Sequence, residues 1–341
     1  PALKNFTDRM EIVAFCDIVP ERAEKAAAEF GSTAKVYTDY RELIANPEVE
    51  VVYVLTPNVS HCEITVCAFE AGKHVFCEKP MASTSADAQK MLDAWKKSGK
   101  KFASGYQNRF RPEVRCLKAA CERGELGEIY FAKAHAVRRR AVPTWGVFLN
   151  EYEQGGGPLI DIGTHALDLT LWTMNNYKPK YCVGTTYHAL NDTKEQGNAW
   201  GNWDASKFTV EDSAFGFVVM ENGATINLEA SWAINMLDTR EAITTICGTK
   251  AGADMLDGVR INGVRQNLQY VMKPDMNAKG AAYFDGVKGE SPAEREARQW
   301  INAVVNDTDP CVLPEQAIVV TRILEGIYTS AKTGDIFRFD K

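Results

Sequence analysis

The first third of the chain alternates short apolar runs with segments rich in helix-forming residues. Residues 11–17 form an apolar run that ends in an acid. Pro20–Phe30 follows it, with a proline early, helix formers inside and Gly31 as a stop. Residues 49–55 and His74–Cys77 are further apolar runs, and each has its own helical segment after it. Strands that alternate with helices of this length predict an α/β fold with a parallel, doubly wound sheet.

Asp17 ends the run that we interpret as the second strand of a dinucleotide-binding unit. A carboxylate at this point can bind both hydroxyls of an adenosine ribose, and it favours NAD over NADP because it repels the 2′-phosphate. The alternative is that Asp17 caps a helix or forms a turn. A glycine-rich turn should precede such an acid by about 20 residues, and the sequence contains no G-x-G-x-x-G. Either this is not a dinucleotide-binding domain, or the numbered chain lacks its first strand and phosphate-binding turn, and we expect the second.

Composition excludes several classes of protein. The 341 residues are 45% apolar and 25% charged, as is typical of a globular chain long enough for two domains. The longest apolar runs are strand-sized, which argues against a membrane protein. A formal net charge of −6 offers no attraction to nucleic acid. Nine scattered cysteines without C-x-x-C pairs predict a reducing, cytoplasmic location and no zinc site.

The βα rhythm fades after Phe110. Five segments of the second half read as strands, and an Asn-Gly turn within 221–224 joins two of them. Residues 294–306 and 315–332 read as helices. We predict a Rossmann-type domain over 1–107, followed over 108–341 by an α+β domain with a large, open, mostly antiparallel sheet.

Two groups of polar residues stand out against this background. Thr56, Lys79 and Gln107 each follow the end of a predicted parallel strand, where doubly wound sheets bind ligands. Asp161, His165 and Asp168 would share one face of an otherwise apolar helix. Three ionisable groups are costly there unless they line a cavity or pair together. The alternatives are a surface ion pair for Lys79 and a structural role for a lone histidine. The helix could also hold a metal, but no other ligands converge on it, so we predict none.

Three segments together resemble the glucose–fructose oxidoreductase/inositol dehydrogenase (Gfo/Idh/MocA) family. They are Thr-Pro-Asn-Val-Ser-His at 56–61, Val-Phe-Cys-Glu-Lys-Pro at 75–80, and the run from Gly155 to Asp168. The resemblance extends from residue 1 to about 232 and more loosely to the end. The absent glycine-rich turn is a departure from the family pattern.

The resemblance implies a role for each matching residue. Lys79, Asp161 and His165 would surround the reacting carbon, in one cleft between the domains. Asn108 and Asp168 would hold substrate hydroxyls, and Trp145 would form a pocket wall, unless it is a buried core residue. The implied NAD contacts are Asp17, Thr56, Asn58, His61, Glu78 and Gln107.

The leading functional hypothesis is therefore an NAD-dependent dehydrogenase that moves a hydride between a sugar or cyclitol hydroxyl carbon and nicotinamide. One alternative keeps NAD bound and uses transient oxidation to cleave or epimerise a glycoside. Another is a non-catalytic, dinucleotide-binding regulator of a sugar pathway. The family also implies a small polyol or sugar as partner and a homodimer or homotetramer formed through the second-domain sheet.

Overall fold

Strands and helices alternate in the first 105 residues of the computed structural model, which describes residues 2–31, 33–276 and 289–339. The first described element is a 3-10 turn at Ala2–Phe6, and residue 1 lies outside the described residues. The elements that follow are β1 (Ala14–Cys16), α1 (Pro20–Phe30), β2 (Lys35–Tyr37), α2 (Tyr40–Ala45), β3 (Val51–Val54), α3 (His61–Glu70), β4 (His74–Cys77), α4 (Ser85–Ser98) and β5 (Phe102–Ser104).

Strands dominate the chain from residue 106 onward, with longer helices near its end. The elements are α5 (Pro112–Glu122), β6 (Ile129–Val137), α6 (Glu151–Gln154), α7 (Thr164–Met174), β7 (Pro179–Tyr187), β8 (Ser213–Met220), β9 (Thr225–Ser231), β10 (Ile243–Gly248), β11 (Ala251–Asp254), β12 (Arg260–Arg265), β13 (Leu268–Met272), α8 (Pro292–Val305), α9 (Pro314–Thr333) and β14 (Phe337–Arg338).

The parallel strands of the first part form two hydrogen-bonded groups. β1 pairs with β2, and β3, β4 and β5 form a second parallel sheet in that order. Within 2–31, 33–276 and 289–339, no strand pairs with both β1 and β3. The register aligns Val54 with Cys77 and Cys77 with Ser104, so these three strands end together at one edge.

Helices cover both faces of the β3–β4–β5 sheet. Phe69 of α3 packs against Phe102 of β5, with ring centroids 5.2 Å apart. The next residue of β5, Ala103, points to the opposite face, where it packs with Phe76 and with Trp300 of α8. A doubly wound sheet is therefore confirmed, and one of its covering helices comes from late in the chain.

Among the described residues, a third sheet, in the later part of the chain, has nine strands in the order β13-β12-β11-β10-β6-β9-β8-β7-β14. Every neighbouring pair is antiparallel except β6 and β9, which confirms the predicted open, mostly antiparallel sheet. The leucines of α7 are buried, and this helix packs on β6 and β10. A Cβ on Gly216 of β8 would lie 2.4 Å from Ile327 of α9, so the glycine permits close approach of that helix.

The chain separates into two compact units. The first comprises Pro1–Ala82, Ala86–Gly105 and Lys288–Ile318, and the second comprises Ser83–Ser85, Tyr106–Val287 and Val319–Lys341. Residues 289–318 pack with the first unit because Trp300 completes its core. The division of function that we predicted at residue 107 stays a prediction. None of the described helices is both long enough and apolar enough to cross a bilayer.

Candidate active site

The helix that carries Asp161 and His165 begins with wide turns. Leu159–Gly163 is π-helical, and α7 continues from it without a break. We predicted one regular α-helix through this segment. Because Asp161 lies in a π turn, its four-residue spacing from His165 does not by itself place the two side chains on one face. Single π turns inserted in α-helices occur often at functional sites.

Glu211 binds the first turn of this helix. Its Oε2 accepts a hydrogen bond from the backbone N–H of Gly157 at 2.8 Å, and its Oε1 accepts from Leu159 at 3.2 Å. The hydroxyl of Tyr328 donates to the same Oε1 at 2.8 Å. Glu211 is buried, which raises the pKa of its carboxyl group, while these three donors oppose the shift. A buried carboxylate thus satisfies backbone donors at a helix N-terminus.

Glycine is required beside Glu211 because the backbone approaches closely. A Cβ on Gly157 would lie 2.3 Å from the carbonyl oxygen of Glu211, and one on Gly156 would lie 2.1 Å from the Tyr328 hydroxyl. Gly155 ends α6 in the left-handed conformation, with φ of 80°. The three successive glycines therefore let the chain turn sharply into the helix.

Asp161 is oriented by a buried tryptophan. The indole Nε1 of Trp232, which directly follows β9, donates to Oδ2 of Asp161 at 3.1 Å. Trp232 is fully buried, so it holds the carboxylate in one direction. Asp161 is half-buried.

His165 is also half-buried, one turn further along. The ring of Tyr106 meets the imidazole edge-on, with centroids 6.2 Å apart and planes at 90°. Tyr106 is fully buried, and its hydroxyl shares a hydrogen bond of 3.0 Å with the hydroxyl of Thr164. This contact fixes the tyrosine and restricts the orientation of the imidazole.

Asp168, the third ionisable residue of the helix, forms a buried ion pair. Arg109 donates from Nε to Oδ2 at 2.9 Å and from Nη2 to Oδ1 at 2.5 Å. The side chains are 0% and 1% exposed. Burial raises the pKa of Asp168, and the guanidinium opposes that shift. The predicted contact of Asp168 with a substrate hydroxyl stays a prediction, but both carboxylate oxygens already accept hydrogen bonds from Arg109.

In the first unit, predicted cofactor residues follow the ends of the parallel strands. Thr56 comes two residues after β3, and Glu78 comes directly after β4. Asp17 follows β1, and its carboxylate is about one-third exposed. Its Oδ1 accepts a hydrogen bond from the backbone N–H of Val19 at 2.9 Å. The turn role that we considered for Asp17 is thus present, and the proposed contact of its partly exposed carboxylate with a ribose stays a prediction.

His61 is fully buried, although we predicted it as a cofactor contact. Its Nδ1 lies 2.9 Å from the carbonyl oxygen of Pro80, and its Nε2 lies 3.0 Å from that of Thr56. Burial lowers the pKa of the imidazole, and the charge of Lys79 adds to the effect. The ring therefore links the loop after β3 to the loop after β4, and its contacts are with backbone.

Glu78 and Lys79 lie in the second of these loops. The backbone N–H of Lys79 donates to Oε2 of Glu78 at 3.1 Å. Burial raises the pKa of Glu78, and the charge of Lys79 opposes this. A Cβ on Gly105 would lie 2.9 Å from Oε2, so the carboxylate packs directly on the backbone after β5. Both side chains are half-buried.

The remaining predicted residues differ in exposure. Asn58 is buried at the start of a 3-10 turn, Asn58–Ser60. Gln107 is exposed and Asn108 half-buried in another such turn, Gln107–Phe110. Trp145 is 52% exposed, so the alternative of a buried core tryptophan is wrong. Among the described residues, no three His, Cys, Asp or Glu side chains cluster as metal ligands would.

Comparison with known proteins places both parts of the chain. Residues 1–106 match the model of an oxidoreductase family with an NAD-binding Rossmann fold, and residues 114–254 match the GFO/IDH/MocA C-terminal domain. The D-glucoside 3-dehydrogenase of Escherichia coli is 34% identical over 325 residues, which cover 95% of this chain and 89% of that protein. The chain belongs to the Gfo/Idh/MocA family.

Other members of the family match over different lengths. An inositol 2-dehydrogenase of Salmonella typhimurium is 35% identical over 178 residues, about half of each chain. The crystal structure of an oxidoreductase domain protein from Kribbella flavida has a TM-score of 0.82 at 22% identity and covers 97% of this chain and 91% of its own. A levoglucosan dehydrogenase in complex with NADH has a TM-score of 0.81 at 21% identity and covers 97% and 90%.

Family membership makes the protein an NAD-dependent oxidoreductase. The residues of the first unit fit that cofactor. Strand ends of a parallel sheet form the crevice in which dinucleotides bind, and β3, β4 and β5 end together at one such edge.

Four residues that contact the helix carrying Asp161, His165 and Asp168 were not predicted from the sequence. They are Tyr106, Arg109, Glu211 and Trp232. Arg109 directly follows the predicted Asn108, but no local pattern pairs it with Asp168. Glu211 lies 52 positions from Leu159 and next to another acid. The one feature of the sequence that could have indicated Glu211 is its position as an acid just before the apolar strand β8.

The substitution Glu211→Gln tests this support. Glutamine offers one acceptor oxygen in place of two, so the N–H of Gly157 or Leu159 is left without its partner. We expect the free energy of unfolding to fall by about 1–3 kcal/mol, together with a loss of turnover. Chemical denaturation and steady-state kinetics measure the two effects. Glu221→Gln, at an exposed hairpin, is the matched control. Equal behaviour of the two variants would contradict this role of Glu211.

Proposed function

We propose that the protein oxidises a secondary hydroxyl of a sugar or cyclitol and passes the hydride to NAD. The observation that carries this proposal is the arrangement around Asp161 and His165. Both are half-buried on consecutive turns of one helix, and Trp232, Tyr106 and Glu211 hold them there. The named activities of the D-glucoside and inositol dehydrogenases support the substrate class.

Three side chains divide the chemistry in this proposal. His165 accepts the proton of the substrate hydroxyl, and Lys79 donates a hydrogen bond that polarises the same oxygen. Asp161 orients the pair. The carbon–hydrogen bonding electrons leave as a hydride, the carbon becomes a carbonyl, and NAD supplies the hydride acceptor. The hydroxyl group thus loses its proton to His165, and its carbon loses one hydride to NAD.

The other predicted residues serve binding. Asp17, Thr56, Asn58, Glu78 and Gln107 contact the cofactor in this proposal, and His61 positions the loops of Thr56 and Pro80. Asn108, Trp145 and Asp168 serve the substrate. The functional boundary lies at residue 107: residues 1–107 bind the dinucleotide and residues 108–341 recognise the substrate.

A substrate screen tests the function. The purified protein with NAD is offered cyclitols, free aldoses and glucosides, and NADH formation is followed by absorbance. We expect stoichiometric NADH from at least one of these classes. Cleavage or epimerisation of a glycoside without net NADH would instead support transient oxidation with bound NAD. Binding of NAD with no reaction of any substrate would support a regulator.

Cofactor preference depends on Asp17 in this account. The carboxylate should favour NAD over NADP, because the 2′-phosphate of NADP would meet a like charge. We expect Asp17→Ser to reduce the difference in affinity between NAD and NADP. The change should weaken NAD binding and remove the repulsion of the 2′-phosphate of NADP. Calorimetric titration of both cofactors with both proteins measures this. Equal or tighter NADP binding by the unmodified protein would show the assignment to be wrong.

Assembly is proposed through the outer face of the nine-stranded sheet. Val183 of β7 lies opposite Phe217 of β8 on this face, both side chains are exposed, and Tyr187 is exposed along the same strand. Light scattering should give the molar mass of a dimer or tetramer, and Phe217→Glu should lower it. A monomeric unmodified protein would overturn this proposal.

The nine free thiols support the proposed cytoplasmic location.

A further inference from the structure

Two exposed tryptophans of the second unit form a pair that the hydrogen-transfer chemistry does not use. The rings of Trp145 and Trp200 meet edge-to-face, with centroids 4.9 Å apart. Trp145 is 52% exposed and Trp200 43%. Large aromatic side chains that remain exposed together mark binding surfaces more often than isolated ones do.

The loops that carry the Trp145–Trp200 pair are fixed to each other. Asn198 accepts a hydrogen bond from the backbone N–H of Val142 at 2.8 Å and donates to the carbonyl oxygen of the same residue at 3.0 Å. The hydroxyl of Thr144 donates to the carbonyl oxygen of Trp200 at 2.8 Å. The pair is therefore built before any ligand arrives, and a ligand would not have to order it.

Trp200 is also supported from a neighbouring strand end. The guanidinium of Arg138 lies 5.2 Å from the centroid of the Trp200 ring. Arg138 in turn donates from Nε and Nη2 to the carboxylate of Glu241, each at 2.6 Å. The indole is thus held from one side by a fixed cation.

A continuous series of aromatic rings connects this pair to Asp161. Trp145 contacts Phe148 with centroids 6.1 Å apart, and Phe148 contacts Trp232 at 6.5 Å. Trp232 donates its indole hydrogen bond to Asp161. The exposed pair is therefore linked to Asp161 through Phe148 and the buried Trp232, all within the same unit.

We propose that Trp145 and Trp200 bind the aglycone ring of a glycoside whose sugar ring reacts beside Asp161 and His165. A cyclitol or free aldose has one ring, which occupies the reacting position, so no part of it would contact the Trp145–Trp200 pair. A glycoside carries a second ring across its glycosidic bond. A sugar ring offers a face of C–H groups and an aryl group offers a flat apolar face, and both pack well on indole. This inference rests on the proposed function and narrows its substrate to ring-bearing glycosides.

Four substrates and two variants test the inference. Phenyl β-glucoside and a β-linked glucose disaccharide carry an aglycone ring, whereas methyl β-glucoside and myo-inositol do not. Trp200→Ala should raise KM for the first two about three- to tenfold, the effect of losing one aromatic contact. For the other two substrates KM should be unchanged, and kcat should hold for all four. Trp200→Phe, which keeps a ring, should restore most of the lost affinity. An effect on only one of the two ring-bearing substrates would show whether the pair takes an aryl group or a sugar.

Several results would overturn the inference. Equal changes in KM for all four substrates, or none for any, would remove the pair from substrate recognition. A lower molar mass of Trp200→Ala in light scattering, without a selective KM effect, would assign the pair to a subunit contact. If the unmodified protein forms NADH with none of the tested substrates, the proposed function fails. Calorimetric binding of phenyl β-glucoside that Trp200→Ala weakens would then still support the pair, and equal binding to both proteins would reject it.

Discussion

Replacing His165 by alanine should lower kcat by about 10²–10⁴-fold, the usual contribution of a general base. NAD affinity should be unchanged, because the residue takes a proton from the substrate and does not hold the cofactor in this account. Its ring packs against the edge of Tyr106. Single-turnover kinetics with saturating NAD and calorimetric NAD binding separate the two effects.

The exposed His188 on the same unit provides the matched control. His188→Ala should retain full turnover, which would show that removal of an imidazole alone has no effect. If Lys79 and His165 act on one hydroxyl, Lys79→Met combined with His165→Ala should lose little more activity than either single change. Additive losses, or full activity of His165→Ala, would remove the case for this catalytic set.

Loss of the Arg109 guanidinium should strongly destabilise the protein. Arg109→Ala leaves the carboxylate of Asp168 buried without its charged partner, and breaking a buried pair in this way costs about 3–5 kcal/mol. The pair is bidentate and its side chains are inaccessible to solvent. The guanidinium also lies 5.5 Å from the ring centroid of Trp172, a contact that is lost with it. Denaturation with urea measures the change in the free energy of unfolding.

Two further variants show whether the unpaired charge is responsible. Arg123→Ala removes an exposed pair with Glu125 and should change stability by less than about 1 kcal/mol. The double variant Arg109→Met with Asp168→Leu removes both charges and fills the space with apolar groups, so it should recover much of the stability. A loss with Arg109→Ala no larger than that with Arg123→Ala would contradict the account of this pair.

The fold was predictable because its signals are local. Each strand and helix of the first part has its own apolar run, helix formers and stop residue, and nearest-neighbour rules then give a doubly wound sheet. The contribution of α8 was not predictable in this way. Trp300 lies more than 200 positions after Phe76, and no pattern in either segment names the other as its packing partner.

The candidate site was predictable only in part, for the same physical reason. Strand ends and the helix spacing pointed to Lys79, Asp161 and His165. The carboxylate of Glu211, the indole of Trp232 and the guanidinium of Arg109 act through tertiary contacts that spacing cannot show. His61 illustrates the converse: its motif predicts a ligand contact, whereas the structure buries its ring between two carbonyl oxygens.

Hydride transfer from a substrate carbon to NAD is the central claim, and an isotope measurement tests it directly. The substrate that gives the fastest NADH formation is prepared with deuterium on its reacting carbon and mixed with the protein and NAD in ordinary water. The account predicts NADH that carries one deuterium per molecule, as determined by mass spectrometry. NADH without deuterium, or deuterium released to the solvent, would contradict it.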